Sequence, residues 1–239
     1  RLWKEAGLVP KKKKDGTWDG IYWSGTSHAT LCNPDVLKMM GEHGCTHLVY
    51  GYEHFDDRIL KTMGKGSTRK TNLRSFFWTF EAGIRPIPNQ IIGFPDEDFD
   101  SLRAQMNAWD DLGIQVKPHF ATAYPGSMWF TEYREKILEQ YRGMGKKMGL
   151  TDDLEAYVVD LGDASRVSGV ISKNFNAVEL IGLREMMMHR QYSKIDQYEI
   201  EWRKKHNIKD GEPSTLVDKK TVKKIMSIKK DPEITAQVN

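Results

Sequence analysis

Residues 44–53 read GCTHLVYGYE, a glycine turn that leads into a run rich in aromatic and β-branched side chains. Such residues favour a strand, and a glycine directly before a strand is the usual end of a helix in a parallel β/α protein. The same succession of helix, glycine and strand recurs at Gly83 and Gly113. The sequence therefore predicts an α/β protein in which helices connect parallel strands.

Capping residues and turns predict where the elements begin and end. Asn33 followed by Pro34 starts a helix that stops at Gly44, while Thr68 and Asp98 start the next two helices. The predicted strands cover residues 21–28, 47–53, 86–92 and 115–123. Four more helices are predicted at residues 131–148, 151–159, 176–188 and 192–206.

Composition restricts the class of protein. The chain has 239 residues, 39% hydrophobic and 29% charged, which is typical of a globular protein. A net charge of +3 gives little reason to expect nucleic acid binding, and no apolar run reaches the roughly 18 residues that span a bilayer. With two cysteines and no secretory leader, we expect a protein of the reducing cytoplasm. Because the chain starts at Arg1 without a methionine, we expect an internal fragment, a processed N-terminus being the alternative.

Glu53 is the first candidate for a ligand contact. Alternation along the strand places Val49, Gly51 and Glu53 on one face, with the carboxylate at the C-terminal end where β/α enzymes bind ligands. A carboxylate there can accept hydrogen bonds from an amine or from ribose hydroxyls, and Gly51 leaves room for a ligand. The alternative is that Glu53 caps the next helix or pairs with Arg58 on the surface.

Two later strand ends carry similar candidates. In the stretch IIGFPDE, residues 91–97, Asn89, Ile91 and Gly93 share a face on which an adenine ring could pack. The turn of Tyr124, Pro125 and Gly126 exposes main-chain groups that could read the edge of an adenine. Each of these could also be a turn without a ligand.

Other site classes find little support. His28, His54 and His119 lie on or just after predicted strands and could face one cavity, although a structural role is the alternative. No histidine or cysteine spacing matches a metal site. Residues 64–68, GKGST, lack the first glycine of a phosphate-binding loop and no strand precedes them directly.

Taken in order, these motifs resemble the radical S-adenosylmethionine enzymes, particularly the branch joined to a cobalamin-binding domain. The similarity covers roughly residues 18–130. It is carried by the stretches DVLKMM (35–40), GCTHLVYGYE (44–53), ILK (59–61), KGST (65–68), AGI (82–84), IIGFPDE (91–97) and YPGS (124–127).

The resemblance implies the C-terminal part of a partial (β/α)6 TIM-like barrel, followed by a helical extension. It implies cofactor contacts by Glu53 to the ribose or methionyl part, by Asn89, Ile91 and Gly93 on the fifth strand, and by the main chain of residues 124–126. In that family a 4Fe-4S cluster supplies an electron that cleaves S-adenosylmethionine, and the 5′-deoxyadenosyl radical abstracts hydrogen from the substrate. A reducing partner such as ferredoxin or flavodoxin, and cobalamin in the full-length protein, are part of the same expectation.

Two departures from the family pattern are visible. The three-cysteine loop that binds the cluster is expected upstream of this chain, and neither Cys32 nor Cys45 matches it. His54 stands where the family usually has a serine. We therefore expect the isolated chain to be inactive, with the domain plan 1–17 linker, 18–150 barrel, 151–208 helical extension and 209–239 Lys-rich tail.

Two other functions stay open. The chain could be a degenerate barrel module that binds a nucleotide or a partner protein without catalysis. It could also be a cluster-free β/α-barrel enzyme in which Glu53 and His119 perform acid–base chemistry. None of these candidate functions identifies the substrate.

Overall fold

The computed structural model describes residues 2–148 and 169–217. The chain forms two compact units, and the division between them falls inside one strand, after Asn89. Each unit is described by itself.

The first unit contains four helices, a 3-10 turn at Ala29–Leu31 and the strands up to the start of β5. Its elements are α1 (Leu2–Glu5), β1 (Lys11–Lys12), β2 (Trp18–Asp19), β3 (Trp23–Ser27), α2 (Pro34–Glu42), β4 (Cys45–Glu53), α3 (Asp57–Thr62), α4 (Arg69–Glu81) and the first residues of β5 (Arg85–Ile92). The strands β1 and β2 form a small antiparallel hairpin of their own.

The second unit begins at Gln90 and includes the end of β5. Its further elements are α5 (Phe99–Leu112), β6 (His119–Phe120), α6 (Met128–Glu132), α7 (Arg134–Met148), α8 (Ala177–Met188) and α9 (Tyr192–Lys205).

The sheet confirms the predicted fold class. Its strand order is β3-β4-β5-β6, and both pairs of known register, β3 with β4 and β5 with β6, are parallel. Helices lie between successive strands of the chain, as in a partial (β/α) barrel, and α8 and α9 follow as a helical extension.

The predicted helix caps are present. The Asn33 side chain accepts hydrogen bonds from the first turn of α2, and Thr68 does the same for α4. Asp98 and Ser101 form a reciprocal capping box at the start of α5, which ends at Gly113 in the left-handed conformation. The local sequence therefore fixes these helix ends by satisfying main-chain groups that the helix leaves unpaired.

One face of β4 forms the core of the first unit. Leu48, Tyr50 and Tyr52 are 2%, 0% and 0% exposed, whereas the intervening Val49 and Gly51 are only half-buried. The rings of Tyr50 and Tyr52 stack with centroids 5.1 Å apart, and burial raises the pKa of both phenols. Ser75 and Thr79 of α4 hydrogen-bond to these hydroxyls, so the buried phenols are paired.

The predicted strand at residues 115–123 is wrong in length. Only His119–Phe120 pairs with β5, through Ile91 and Ile92. Pro118 precedes the paired segment and has no main-chain N–H to donate to a neighbouring strand. The regular ladder therefore starts only after this proline.

Two helical predictions also need correction. No helix is predicted between residue 53 and Thr68, yet the segment after β4 contains helix α3, capped by the Asp56 side chain. The helix predicted at 131–148 is two helices, because Tyr133 has a non-helical conformation between α6 and α7. In addition α6 starts at Met128, capped by Ser127, three residues before the predicted start.

The helical extension packs on α5 through aromatic rings. Phe99 lies 5.1 Å from Phe175 and 5.4 Å from Trp202 between ring centroids, and each of these residues is 3% exposed or less. Arg103 of α5 also pairs with Asp196 and Glu199 of α9. The extension is therefore part of the core of the second unit.

Some predictions fall outside the described residues. The helix predicted at 151–159 lies there, as do residues 218–239 of the predicted tail. The four-part domain plan stays a prediction. None of the helices within residues 2–148 and 169–217 is both long and apolar enough to cross a membrane.

Candidate functional site

Glu53 sits in a sharp turn at the end of β4. Its φ is +60°, in the left-handed region that a glutamate rarely adopts. The His54 N–H donates to the Tyr52 carbonyl at 2.7 Å and closes a three-residue turn around Glu53. A strained residue at a strand end is a frequent feature of functional sites.

Asn72 of α4 holds this turn on both sides. Its side-chain amide donates to the carbonyls of Tyr52 and His54, each at 3.1 Å. Asn72 is completely buried, so no water molecule can replace its amide as the donor to these main-chain oxygens. The conformation of Glu53 is therefore fixed by a helix as well as by its own strand.

The Glu53 carboxylate pairs with Lys65. The Lys65 ammonium donates to Oε1 at 2.5 Å, and the two side chains are 21% and 15% exposed. Within the described part of the chain, Oε2 of Glu53 has no such partner. Arg58, which the sequence offered as an alternative partner of Glu53, forms an ion pair with Asp56.

Gly51 provides the space for this ion pair. A Cβ atom on Gly51 would lie 2.5 Å from Oε1 of Glu53 and 3.0 Å from the Lys65 ammonium. The sequence suggested that Gly51 leaves room for a ligand. The structure shows that the chain's own ion pair occupies that room.

His54 has a structural role in this turn. It is completely buried, and its Nδ1 accepts the Asp56 N–H at 2.8 Å. Burial opposes ionisation of Asp56, but hydrogen bonds from Arg58 outweigh it and lower the pKa of Asp56. Burial raises the pKa of the neighbouring Asp57, whose carboxylate accepts the Arg69 N–H at 2.5 Å.

The end of β5 also carries a glycine and a glutamate. The Gly93 N–H donates to Oε2 of Glu97, whose side chain turns back on its own loop and is completely buried. Gly93 has a φ of +92°, and a Cβ there would lie 3.1 Å from Cδ1 of Leu180. That side of Gly93 is therefore covered by helix α8. Ile91 is half-buried and alternates along β5 with the buried Gln90 and Ile92.

The segment before α8 braces the same loop. The Lys173 N–H donates to the Pro95 carbonyl at 2.9 Å, and the Asn174 amide donates to the Glu97 carbonyl at 2.7 Å. The Lys173 ammonium binds Asp96 at 2.7 Å; burial lowers the pKa of Lys173, but this pairing outweighs it and raises the pKa. The extension therefore fixes the β5–α5 connection.

A hydrogen-bonded turn follows β6 at residues 124–127. The Ser127 N–H donates to the Tyr124 carbonyl at 3.0 Å, and Gly126 has a φ of +85°. Tyr124 and Gly126 are exposed and Pro125 is half-buried. Main-chain groups of this turn are therefore near solvent.

The predicted ligand contacts are divided between the units. Glu53 and the exposed Asn89 belong to the first unit, while Ile91, Gly93 and residues 124–126 belong to the second. That they bind one ligand together stays a prediction.

The described residues do not fit an iron–sulfur cluster. No group of three or more potential metal-ligating side chains occurs among them. The buried Cys45 thiol hydrogen-bonds to the His47 carbonyl, and Cys32 contacts the Tyr50 hydroxyl. Burial raises the pKa of both thiols, which opposes the thiolate form that binds metals.

The other two histidines that the sequence singled out belong to different units. His28 caps the 3-10 turn that follows β3 in the first unit. His119 lies in β6 of the second unit and is half-buried.

Four residues that contact the two strand ends are not among the predicted site residues: Lys65, Asn72, Glu97 and Leu180. For Asn72 a signal exists, because Asn72, Ser75 and Thr79 recur at helical spacing and form a polar stripe that is buried in α4. Glu97 and Leu180 depend on contacts that no periodicity reveals.

Comparison with known proteins finds related sequences, although no family model matches the chain. An uncharacterized methyltransferase of Pyrococcus horikoshii is 32% identical over 108 residues, which is 45% of this chain and 24% of that protein. The bacteriochlorophyllide d C-12(1)-methyltransferase of Chlorobaculum tepidum is 29% identical over 122 residues, 49% of this chain and 26% of that protein. The chain thus spans about a quarter of the length of these relatives.

Solved structures of low overall similarity were also found. The radical S-adenosylmethionine methyltransferase TsrM of Kitasatospora setae matches with a TM-score of 0.35 and 20% identity, over 40% of this chain and 19% of its own. HemN of Escherichia coli, a radical SAM enzyme, matches with a TM-score of 0.37 and 15% identity, over 41% and 23%. The related sequences thus include two proteins named as methyltransferases, whereas the solved structures resemble the chain only weakly.

Proposed function

We propose that this chain supplies part of the S-adenosylmethionine site of a radical S-adenosylmethionine enzyme, and that the enzyme transfers a methyl group. The observation that carries the proposal is the sequence similarity to two methyltransferases over 108 and 122 residues. The strand-end motifs and the α/β fold support it.

The residues of this chain can bind and orient an adenosyl group. Oε2 of Glu53 is an acceptor for a hydroxyl or amine donor, and the exposed turn at residues 124–126 offers main-chain groups to a base. When bound, S-adenosylmethionine supplies the activated carbon–sulfur bond that the reaction breaks. Residues upstream of this chain would have to hold the cluster, since the described residues do not fit one.

The competing functions make different demands on Glu53 and the histidines. Acid–base catalysis needs a group that can exchange a proton with the substrate. Glu53 is held in an ion pair, and His54 is used to hold the turn. A module without catalysis would bind a nucleoside but release no product.

The test uses the protein expressed from its full natural reading frame under anaerobic conditions and supplied with iron and sulfide. We expect it to bind S-adenosylmethionine and, with a chemical reductant, to release S-adenosylhomocysteine or 5′-deoxyadenosine. Activity in air without S-adenosylmethionine would support the cluster-free enzyme instead. Binding without any product, at full cluster content, would support the non-catalytic module.

Three expectations accompany the proposal. A ferredoxin or flavodoxin would deliver the electron, the protein would act in the cytoplasm, and cobalamin would bind elsewhere in the full-length protein. We also expect the isolated chain to bind no iron after reconstitution, because its cysteines are separate and protonated.

A further inference from the structure

We infer that the second unit carries a binding site for a small organic carboxylate, in which the Lys136 ammonium binds the carboxylate and a mainly apolar cavity holds the rest of the molecule. The site is built by α7, the segment before α8 and the end of α9. The inference goes beyond the proposed function and does not depend on it, because the site requires neither S-adenosylmethionine nor a cluster.

A cavity of about 520 Å³ lies beside Lys136, a volume within the range of small-molecule sites. The side chains of Val170, Phe175, Val178 and Leu216 form much of its wall. Val178 and Leu216 are 79% and 45% exposed, so water covers apolar surface at this place. A ligand with an apolar body would displace that water, which favours binding.

Gln140 shows that a neutral side chain of α7 can hold the segment before α8. Its amide accepts the Val170 N–H and donates to the Val170 carbonyl, each at 2.9 Å. One helical turn earlier, the Lys136 ammonium donates to the Ser172 carbonyl. Because an amide can satisfy a carbonyl equally well, this hydrogen bond does not account for a positive charge at position 136. The charge of Lys136 therefore indicates a further, anionic partner.

Lys136 differs in its charge partner from the other lysines of the cavity wall. Lys173 binds Asp96 at 2.7 Å. Lys205 binds Glu179 at 2.9 Å. Lys136 is half-buried, and within the described part of the chain it forms no ion pair. Burial and repulsion from Lys173 lower the pKa of Lys136, so its ammonium form is poorly compensated. A bound anion would supply the missing negative charge.

Charge balance favours a carboxylate over a phosphate as this anion. The three lysines of the wall and their two carboxylate partners leave one positive charge, which a single carboxylate neutralises. A phosphate monoester carries about −1.5 to −2 charges near neutral pH, and its excess charge would be repelled by Asp96 and Glu179. A carboxylate on Lys136 also gains a charge-assisted hydrogen bond. The ligand class is therefore a monocarboxylic acid with an apolar body.

The test measures binding of octanoate to the protein expressed from its full natural reading frame, by isothermal titration calorimetry. Octanol, which has the same chain length but no charge, should bind about tenfold more weakly, the effect of one lost charge-assisted hydrogen bond. Lys136→Gln should weaken octanoate binding about tenfold and leave octanol binding unchanged, whereas Lys136→Arg should recover most of the affinity. Lys194→Gln, at an exposed lysine of α9 outside the cavity wall, is the control and should bind octanoate as the wild type does.

A second pair of variants keeps Lys136 in place. Val178→Glu puts a carboxylate on an exposed position of the cavity wall and should weaken octanoate binding at least about threefold through repulsion. Ile181→Glu, at an exposed position of the same helix outside the wall, should leave binding unchanged.

Acylation of lysines, followed by mass spectrometry, locates the bound octanoate on the protein. With octanoate at about ten times its Kd, acylation of Lys136 should slow about tenfold, and acylation of Lys194 should not change. Equal affinity of the wild type for octanoate and octanol would overturn the inference, as would unchanged octanoate binding by Lys136→Gln or no binding of octanoate at all. Tighter binding of octyl phosphate than of octanoate would overturn the choice of a carboxylate.

Discussion

The ends of β4 and β5 both carry a glycine and a glutamate, yet they use them in opposite ways. At the end of β4, the Glu53 carboxylate pairs with Lys65 and keeps one oxygen for another partner. At the end of β5, the Glu97 carboxylate is completely buried and holds the main chain of Gly93. A glutamate at a strand end can therefore either keep a carboxylate oxygen available for a ligand or use its carboxylate to bind the main chain of its own loop.

The neighbours of each glutamate account for the difference. The β4 turn is held by Asn72, so its glutamate is not needed for the main chain. The β5 loop uses its glutamate for the main chain and is also covered by the extension through Asn174 and Leu180. We expect substitutions at the β4 turn to affect binding and those at the β5 loop to affect stability.

The largest effect is expected for Leu180→Ala. Leu180 is 2% exposed, and its truncation should destabilise the second unit by about 3 kcal/mol through a lost contact and a cavity. Val178→Ala, on the same helix but 79% exposed, is the control and should change stability little. Amide hydrogen exchange in α8 measures the opening free energy. Equal protection in the two variants would contradict the packing of α8 on Gly93.

Glu97→Ala should cost about 2 to 3 kcal/mol, because the buried Gly93 N–H loses its charged-group acceptor. Glu97→Gln keeps an acceptor oxygen and should cost clearly less. The counterpart at β4, Glu53→Ala, should change stability by less than about 1 kcal/mol, since it removes a partly exposed ion pair. Urea unfolding of the three variants checks the order. A larger loss for Glu53→Ala than for Glu97→Ala would reverse the comparison.

Asn72→Ala should cost about 2 kcal/mol, because the carbonyls of Tyr52 and His54 each lose one hydrogen bond. It should also weaken ligand binding, since the Glu53 turn loses its clamp. Thr71→Ala removes a half-buried neighbour that does not touch the turn carbonyls, and it serves as the control. An Asn72→Ala protein with wild-type affinity would show that the turn holds its shape without α4.

Acid should weaken the β4 region through Asp56. The pKa of Asp56 is lowered in the folded protein, so its contribution is complete above the unfolded value near 3.8 and is lost as the pH falls through the folded value. Asp56→Asn should therefore cost about 1 kcal/mol at neutral pH and progressively less below pH of about 4. Asp57→Asn should not reduce the loss of stability at acid pH, because the pKa of Asp57 is raised in the folded protein. Urea midpoints across the acid range measure both.

The sequence was sufficient for the elements that local chemistry determines. Caps at Asn33, Thr68 and Asp98 predicted helices α2, α4 and α5, and the β-favouring residues 47–53 predicted strand β4. The β-favouring pattern around β6 predicts a strand longer than the paired segment His119–Phe120, because the pattern extends across Pro118, which cannot donate to a ladder. Local sequence patterns thus predict the elements whose main-chain groups are hydrogen-bonded by residues close in the chain.

The candidate site was only partly predictable. Glu53 was placed at a strand end from periodicity alone, and the structure confirms that position. Its partner Lys65 lies 12 positions further along the chain, and Leu180 reaches Gly93 from a helix of the extension, so neither contact has a sequence spacing that reveals it. Long-range packing determined what local pattern could not.

Ionisation of the stacked phenols of Tyr50 and Tyr52 can serve as a probe of whether the core of the first unit is intact. Both rings are sealed from solvent, and their pKa values lie above the normal range. In alkaline solution exposed tyrosines would ionise at once, whereas these two would do so only when β4 separates from α4. The slow phase of phenolate absorbance after a jump to high pH would then time the opening of this core, without any label or bound ligand.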